Sequence, residues 1–503
     1  MTHSTPTTPI TVAKFGGSAL GADGVLIPKI MDRLKQMLQA GSKVVAVFSA
    51  PLIEYDGKVS SMTDVAIKVG RNYAASNPVD IEVLREVYER IAARHVKDEA
   101  EKKEFLDQLD KFYRQVIISL KVAAENRRFV DVIRSRTLAY SGEVTMCYLM
   151  GYVMRAYGIK AAHVPIEHWP IITDDNFEAA NFMAAESRQA AGHLIELIEK
   201  NDVVSMGGFI GKTADGLETT YERGGSDRTA ADIAIILSSH KGYETRISFE
   251  KDSAVLSADP KIVKEGLDFV HYLSYNEARI AGMFGMKILD PIAIKEIDDN
   301  ELDIPIAITD MGRPESVTII KRSLPATDAS SNPIKIVTGK KNCAIVRMEA
   351  ISASHLIANL ERDKQYHDFV KLSPYFRDDT EMTRLLFLDA DYVRRHERHF
   401  RAYYPKAEVV YGRAVVTLIG DEMWRVPKIA STASSTVSEH DINILNLDAQ
   451  EETSRILIVL EDKGTSVAEA VKAIHATRAG LMAGGNKGGS SSGAGGGGGA
   501  PKN

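Results

Sequence analysis

Cysteine is nearly absent: Cys147 and Cys343 are the two in 503 residues. They stand far apart, with no partner at metal-ligand spacing, which excludes a disulfide framework and a zinc site and leaves two buried free thiols as the plain expectation. Long apolar runs are missing as well. No stretch approaches the roughly 18 uninterrupted apolar residues that a membrane-spanning helix needs. Met1 to Pro9 is polar and threonine-rich, without a basic segment leading into an apolar one, so no secretory signal is expected and a reducing cytoplasm is. Nor is there an excess of charge. Lys plus Arg number 62 against 68 Asp plus Glu, a formal charge of -6, which gives no global attraction to nucleic acid or anionic membranes. Any anion site must therefore be local.

What is present is ordinary globular material, 44% hydrophobic and 26% charged, long enough for about two to four domains at roughly 150 residues each. After a leader at 1–9, expected to be flexible, Ile10 to Phe15 and Lys43 to Ala50 have the β-rich composition of buried strands, with a helical pattern from Leu26 to Leu38 between them. Residues 65–130 are charged and periodic. Ile81, Leu84, Tyr88, Ile91, Phe105, Leu109 and Phe112 are spaced for amphipathic helices, which predicts a helical insertion. Short strands at Ala161 to Val164, Val203 to Met206 and Thr245 to Phe249 alternate with helices, the pattern of an α/β domain with a mostly parallel sheet, here placed at 10–325.

Leu324 to Pro333 is rich in Pro, Ala, Ser and Asp and reads as a linker. Beyond it the pattern changes to strand, helix, strand, strand, helix: Ala414 to Ile419, then Val426, Ile429, Ala430, Ala433 and Val437 on one helical face, then Ile442 to Leu447, Arg455 to Leu460, and a helix carrying Val467, Val471 and Ile474. This predicts a small α+β unit at 412–478. A blurrier version, with strands near Cys343 to Met348 and Arg384 to Leu388, occupies 335–411 and suggests an internal duplication. Residues 479–503 include five consecutive glycines, Gly495 to Gly499, and are expected to form a disordered tail.

Four segments could carry chemistry. Lys14-Phe15-Gly16-Gly17-Ser18 follows the first strand; two glycines can turn sharply and offer backbone N–H groups to a phosphate, with an ammonium beside them. Gly-Gly at a strand end is also simply a turn. Arg223-Gly224-Gly225-Ser226-Asp227 opens an apolar helix, where free N–H groups and the helix dipole form an anion cradle and Arg223 can fork onto a carboxylate. Asp227 could equally be a helix cap. Lys251 to Lys261, with Ala258-Asp259-Pro260, and Phe284-Gly285-Met286-Lys287 each place lysines beside turns, where solvated surface lysine is the common outcome. Gly207-Gly208-Phe209-Ile210-Gly211-Lys212-Thr213 imitates a P-loop, but Met206 stands where the first glycine is required, and the following Ala214-Asp215-Gly216 is a turn, so it is set aside.

In their order along the chain, Lys14-Phe15-Gly16-Gly17, Gly142-Glu143, Phe209-Ile210-Gly211, Arg223-Gly224-Gly225-Ser226-Asp227, Ala258-Asp259-Pro260 and Phe284-Gly285-Met286-Lys287-Ile288-Leu289 resemble the signature set of aspartate kinases, in the amino-acid kinase superfamily. The C-terminal pattern, with Asp441-Ile442-Asn443-Ile444, is similar to the paired ACT domains of that family. The resemblance implies an amino-acid kinase fold, a mostly parallel sheet between helices, followed by two α+β ferredoxin-like ACT domains. It implies phosphoryl transfer from ATP, carrying Mg²⁺, to the side-chain carboxylate of aspartate, the first step toward lysine, threonine and methionine. No metal ligated directly by the protein is expected.

Residue by residue, the resemblance implies that Lys14 and Asp227 are catalytic, with Lys14 on the transferring phosphoryl group. Gly16, Gly17, Ser18, Ser226, Lys251, Lys261 and Lys287 would face the nucleotide, and Ser49, Thr63, Glu143, Arg223 and Gly225 the substrate, with Arg223 on its α-carboxylate and Glu143 on its ammonium. An amino-acid effector such as lysine or threonine would act near Asn443 and Ile444, in a homo-oligomer assembled through the ACT domains. The chain also departs from the family pattern. Glu250, Lys251 and Ala254 replace the usual strand-end Thr-Asp and following Gly; Leu256 and Lys261 flank Ala-Asp-Pro; Asp290 stands for a His; and Pro51 stands for a Ser, with Thr63-Asp64 a possible substitute after an insertion. Another carboxylate kinase of the superfamily and a catalytically weak amino-acid sensor remain the alternatives.

Overall fold

The structure, a computed structural model, describes residues 7–222, 224–286, 288–323, 333–362, 369–421 and 423–483. Its N-terminal part is built on a sheet whose strands run, in spatial order, Tyr272–Ser274, Arg313–Lys321, Ile306–Asp310, Tyr243–Lys251, Thr8–Phe15, Lys43–Phe48, Val203–Gly207 and Ala161–His163. All neighbours pair in parallel except Ile306–Asp310 with Arg313–Lys321. Parallel strands covered on both faces need continuous apolar runs, and Ile10, Val12, Ala13 and Phe15, like Val44 through Phe48, are buried. The first strand begins at Thr8, pairing with Tyr243. The expected flexible leader of 1–9 therefore ends earlier, because Thr8 and Pro9 gain a parallel neighbour.

Helix Ile27–Gln39 crosses from the first strand to the second, burying Ile27, Ile30, Met31, Leu34 and Met37 at helical spacing. Between the second strand and Ala161–His163 lie helices Met62–Ala74, Val83–His95, Glu99–Asn126, Asp131–Ser141 and Glu143–Ala156. Helix Gly225–Ser238 is buried all round from Gly225 to Leu237, lying beside the first strand and helix Pro291–Asp299. No helix among the described residues is long and apolar enough to cross a membrane. Both cysteines are buried and free.

The C-terminal part is one antiparallel sheet in the order Phe369–Arg377, Thr380–Phe387, Ile336–Glu349, Glu408–Ile419, Arg455–Glu461, Ile444–Ala449. Two ferredoxin-like units share its central pair. Ala344 to Glu349 pairs with Thr380–Phe387 under helices Ala350–Arg362 and Ala390–Tyr403. Ile336 to Lys340 instead faces Val415 to Ile419, under helices Ile429–Ser438 and Ser466–Ala483. The division expected at 411/412 thus falls inside a continuous strand, and the first residues of the unit expected at 335–411 complete the other sheet half. Val426 precedes its helix, and the strand expected at 442–447 is Ile444–Ala449. Helix Ser466–Ala483 extends into the expected tail; residues 484–503 lie outside the described residues, as does the linker at 324–332.

Candidate active site

Parallel α/β sheets place ligands at the carboxyl ends of their strands, where neighbouring connections diverge. The first strand has its sequence neighbour on one side and Tyr243–Lys251 on the other, so that point lies at Lys14 and Phe15. After Phe15 the chain enters a one-turn helix, Gly17–Leu20, with Gly16 at its N-cap. A Cβ on Gly17 would sit 3.2 Å from the Ala50 carbonyl oxygen, and one on Gly16 3.3 Å from Lys14 Nζ. The glycines therefore allow backbone and ammonium to share one corner.

Lys14 Nζ lies 2.8 Å from Asp227 Oδ1. The other oxygen, Oδ2, faces Lys251 Nζ at 3.9 Å and accepts the Asp290 backbone N–H at 3.3 Å. Burial alone would push the Asp227 carboxyl up, but Lys14, Lys251 and the Asp290 amide outweigh it and hold Asp227 below the usual carboxylate range. Burial, aided by Lys14, pulls the Lys251 ammonium down despite Asp227. Lys251 also donates to the Ile288 carbonyl, tying the end of its strand to the loop before helix Pro291–Asp299.

A cavity of about 470 Å³ opens here, with Lys14, Gly16, Ser18, Lys251 and Lys261 on its polar side. Val255, Leu256, Ala258, Met286, Ile288 and Ile308 supply apolar wall. Glu250 borders it, but its carboxylate is committed to Arg33, Nε to Oε2 at 2.9 Å and Nη2 to Oε1 at 3.2 Å, and to Ser248 Oγ at 2.6 Å.

Glu143, the first residue of its helix, is within electrostatic reach of Lys14. Its Oε1 accepts the Ala50 N–H at 3.2 Å, while Oε2 is buried without a hydrogen-bond partner among the described residues. Burial pushes this carboxyl up to about 7, against the opposing pull of the Ala50 amide and Lys14. Tyr88 Oη donates to the Ser141 and Gly142 carbonyls at 2.8 and 3.0 Å, anchoring the turn that presents Glu143. Ser49 follows the second strand, its N–H on the Phe15 carbonyl at 3.1 Å. The hairpin of Leu52–Tyr55 and Lys58–Ser61 then returns the chain, the Met62 N–H meeting the Pro51 carbonyl at 3.0 Å. Thr63, half-buried in the first turn of the next helix, thereby comes back beside Pro51.

Gly225, Ser226 and Asp227 form the first turn of a helix whose N-cap, Gly224, has φ +96°. The glycines set aside with the P-loop imitation matter here. A Cβ on Gly208 would meet Ser226 Cβ at 2.6 Å, and one on Gly207 the Glu143 carbonyl oxygen at 2.6 Å. Sequence reasoning misses both, although a glycine pair directly after a strand is the available signal. Lys212 belongs to the hairpin of Ile210–Lys212 and Glu218–Thr220, donating to the Ile166 carbonyl at 3.1 Å.

Arg223 and Lys287 lie outside the described residues. Lys261 is exposed at the cavity rim. Asn443 and Ile444 are not in this site; Asn443 precedes, and Ile444 begins, the edge strand Ile444–Ala449 of the C-terminal sheet.

Residues 9–310 match the model of the Amino acid kinase family. Similar proteins include an aspartokinase of Helicobacter pylori, 22% identical over 93% of this chain and 98% of its own. Aspartokinase 3 of Bacillus subtilis is 25% identical over 94% and 99%. In fold, the chain is similar to E. coli aspartokinase III in complex with aspartate and ADP in its R-state, with TM-score 0.73 and 17% identity over 93% of this chain and 99% of that one. The same enzyme in complex with lysine and aspartate in its T-state gives 0.63 over the same shares. With the family model covering most of the sheet domain, the chain belongs to the amino acid kinase family.

Proposed function

We propose that this protein is an aspartate kinase, transferring the terminal phosphoryl group of ATP to the side-chain carboxylate of L-aspartate to give 4-phospho-L-aspartate and ADP. The observation that carries this reading is a buried carboxylate oxygen without a hydrogen-bond partner among the described residues, Glu143 Oε2, near the Lys14–Asp227 pair. A substrate that brings an ammonium and a carboxylate together suits such a site. The aspartokinase relatives, matched along nearly their whole length, support the choice.

The chemistry follows from charge. A carboxylate oxygen must approach an anionic phosphoryl group, so the protein contributes positioning and neutralisation without a covalent intermediate. Lys14 lies toward the transferring group and is held there by Asp227. Gly16, Gly17 and Ser18, with Lys251, Lys261 and Ser226, line the polyphosphate path, to which the family resemblance adds Lys287, and the apolar wall receives the base. Glu143 takes the substrate ammonium, Arg223 its α-carboxylate, and Ser49, Thr63 and Gly225 border the same space. Mg²⁺ is assigned, as part of this reading, to the nucleotide that carries it; Asp227 is engaged by Lys14, Lys251 and the Asp290 amide.

Feedback control belongs to the same reading. An amino-acid effector such as lysine or threonine would bind near Asn443 and Ile444, where the edge strand can meet a second copy in a homo-oligomer, and act through its differential affinity for two states. Incubation with ATP, Mg²⁺, aspartate and hydroxylamine tests the activity by the coloured hydroxamate. Hydroxamate with glutamate or N-acetylglutamate but not aspartate would move the chain to another carboxylate kinase, and no product with any acceptor would make it a sensor.

A further inference from the structure

Asp290 lends its backbone N–H to Asp227, but its side chain has no role above. Asp290 is the N-cap of helix Pro291–Asp299: its Oδ1 accepts the Ile292 N–H at 2.9 Å, with Pro291 at the first helical position. Its own backbone N–H points the other way, at Asp227 Oδ2. The second carboxyl oxygen, Oδ2, lies against Gly224, 3.1 Å from where a Cβ would stand. The helix behind it is clamped to the Asp227 helix. Ala293, Ile294 and Ile297 are buried, and Arg228 Nη2 bonds Glu296 Oε1 at 2.7 Å.

We propose, resting on the kinase reading, that Asp290 is a positioning residue for phosphoryl transfer: by capping its helix it aims its own amide at Asp227, so that Lys14 meets a carboxylate with a single orientation. Without the cap, the first turn of a nine-residue helix frays, and Asp227 Oδ2 keeps the more distant Lys251. The helix dipole adds to the amide in favouring charge on Asp227. Burial pushes the Asp290 carboxyl up to about 7, and its protonated form still accepts the Ile292 bond through the carbonyl oxygen. The role thus belongs to the cap and not to the charge.

Four variants separate these. Asp290→Asn and Asp290→Ser cap without charge; Asp290→Glu keeps charge on a side chain that caps poorly; Asp290→Ala does neither. With full-length protein, Asn and Ser should keep kcat within about threefold of wild type, while Glu and Ala lose about tenfold or more, with both KM values within twofold and the melting temperature recorded for each. The KM–kcat split and the rescue by Asn are readouts that a purely structural role would not move. Should Ala fail to fold, Glu against Asn carries the comparison. If Asn falls as far as Glu, or if Glu retains wild-type kcat, the inference is wrong. A wild-type protein that makes no acyl phosphate from aspartate refutes the functional reading instead.

Discussion

The ammonium of Lys14, at the end of the first strand, is 2.8 Å from the carboxylate of Asp227, in the first turn of a helix near the middle of the chain. On the proposed function, the contact places a cation where the phosphoryl group would pass and gives it a fixed orientation before substrate arrives. Replacing Lys14 by Met should lower kcat by roughly 10²–10³-fold, the usual consequence of removing one such group. The fold should persist, as a circular dichroism spectrum checks. Undiminished hydroxamate formation would remove the basis of the mechanism.

Glu143 supplies a pH dependence. Its carboxyl is raised to about 7 from an ordinary 4.5; in the proposed role it is the ionised form that would bind the substrate ammonium, so KM for aspartate should fall as pH rises from 6 to 8. Glu143→Gln should raise that KM at least tenfold and flatten its pH profile. Stability moves the opposite way. Between about 4.5 and 7 the native state holds a proton that the unfolded chain has released, so this residue makes stability decline with rising pH across that window and level off above it. Urea midpoints of wild type and Glu143→Gln across the window read the difference.

Gly208→Ala places a methyl 2.6 Å from Ser226 Cβ. The start of the buried helix must yield, displacing Ser226 and Asp227. Activity should fall at least tenfold while the denaturation midpoint shifts modestly, because overpacking typically costs about 1–3 kcal/mol. Retained activity would show that the helix start tolerates displacement.

Glu277 sits in the sheet domain with its side chain fully buried, 2.7 Å from Lys335 of the C-terminal part. It also accepts the Asp421 N–H at 2.6 Å and the Ser274 N–H at 2.8 Å. Lys335→Ala strands that carboxylate and should cost about 3–5 kcal/mol, whereas Lys335→Met combined with Glu277→Gln should restore most of it. Guanidinium denaturation of the two proteins is the measurement.

Much of this site is legible in the sequence. Lys14, Glu143 and Asp227 carry their signals in local glycine-rich stretches, because backbone turns of that kind are written in adjacent residues. What is not legible depends on tertiary approach. That Asp-Pro begins a helix at Asp290 follows from capping preference, but nothing in its neighbourhood says that its amide meets a residue far earlier in the chain. Glu250 stands in sequence only as a departure from the family's strand end, and nothing beside it says that Arg33, from another helix, occupies it. Gly207 and Gly208 read locally as an imperfect phosphate loop, although their purpose is to let Glu143 and Ser226 come close. The six-stranded sheet misleads for a related reason: Ile336–Glu349 passes from one unit to the other inside a single strand, at a register shift from Lys340 to Cys343 where Asn342 takes φ +57°.

That passage makes the two regulatory-type units a single plank. One unit, Ala344 to Val410, is contiguous, while the other completes its sheet half with Ile336 to Lys340 from before it, so the second cannot be cut out whole without taking the first along. The shared strand also touches both flanks of the cavity: Val337 N–H on the Ser257 carbonyl at 2.9 Å, Thr338 Oγ1 on the Phe284 carbonyl at 3.3 Å. A tilt of the far end would thus pass along one covalent ribbon, through the register shift at Lys340 to Cys343, to the two walls between which the nucleotide would lie.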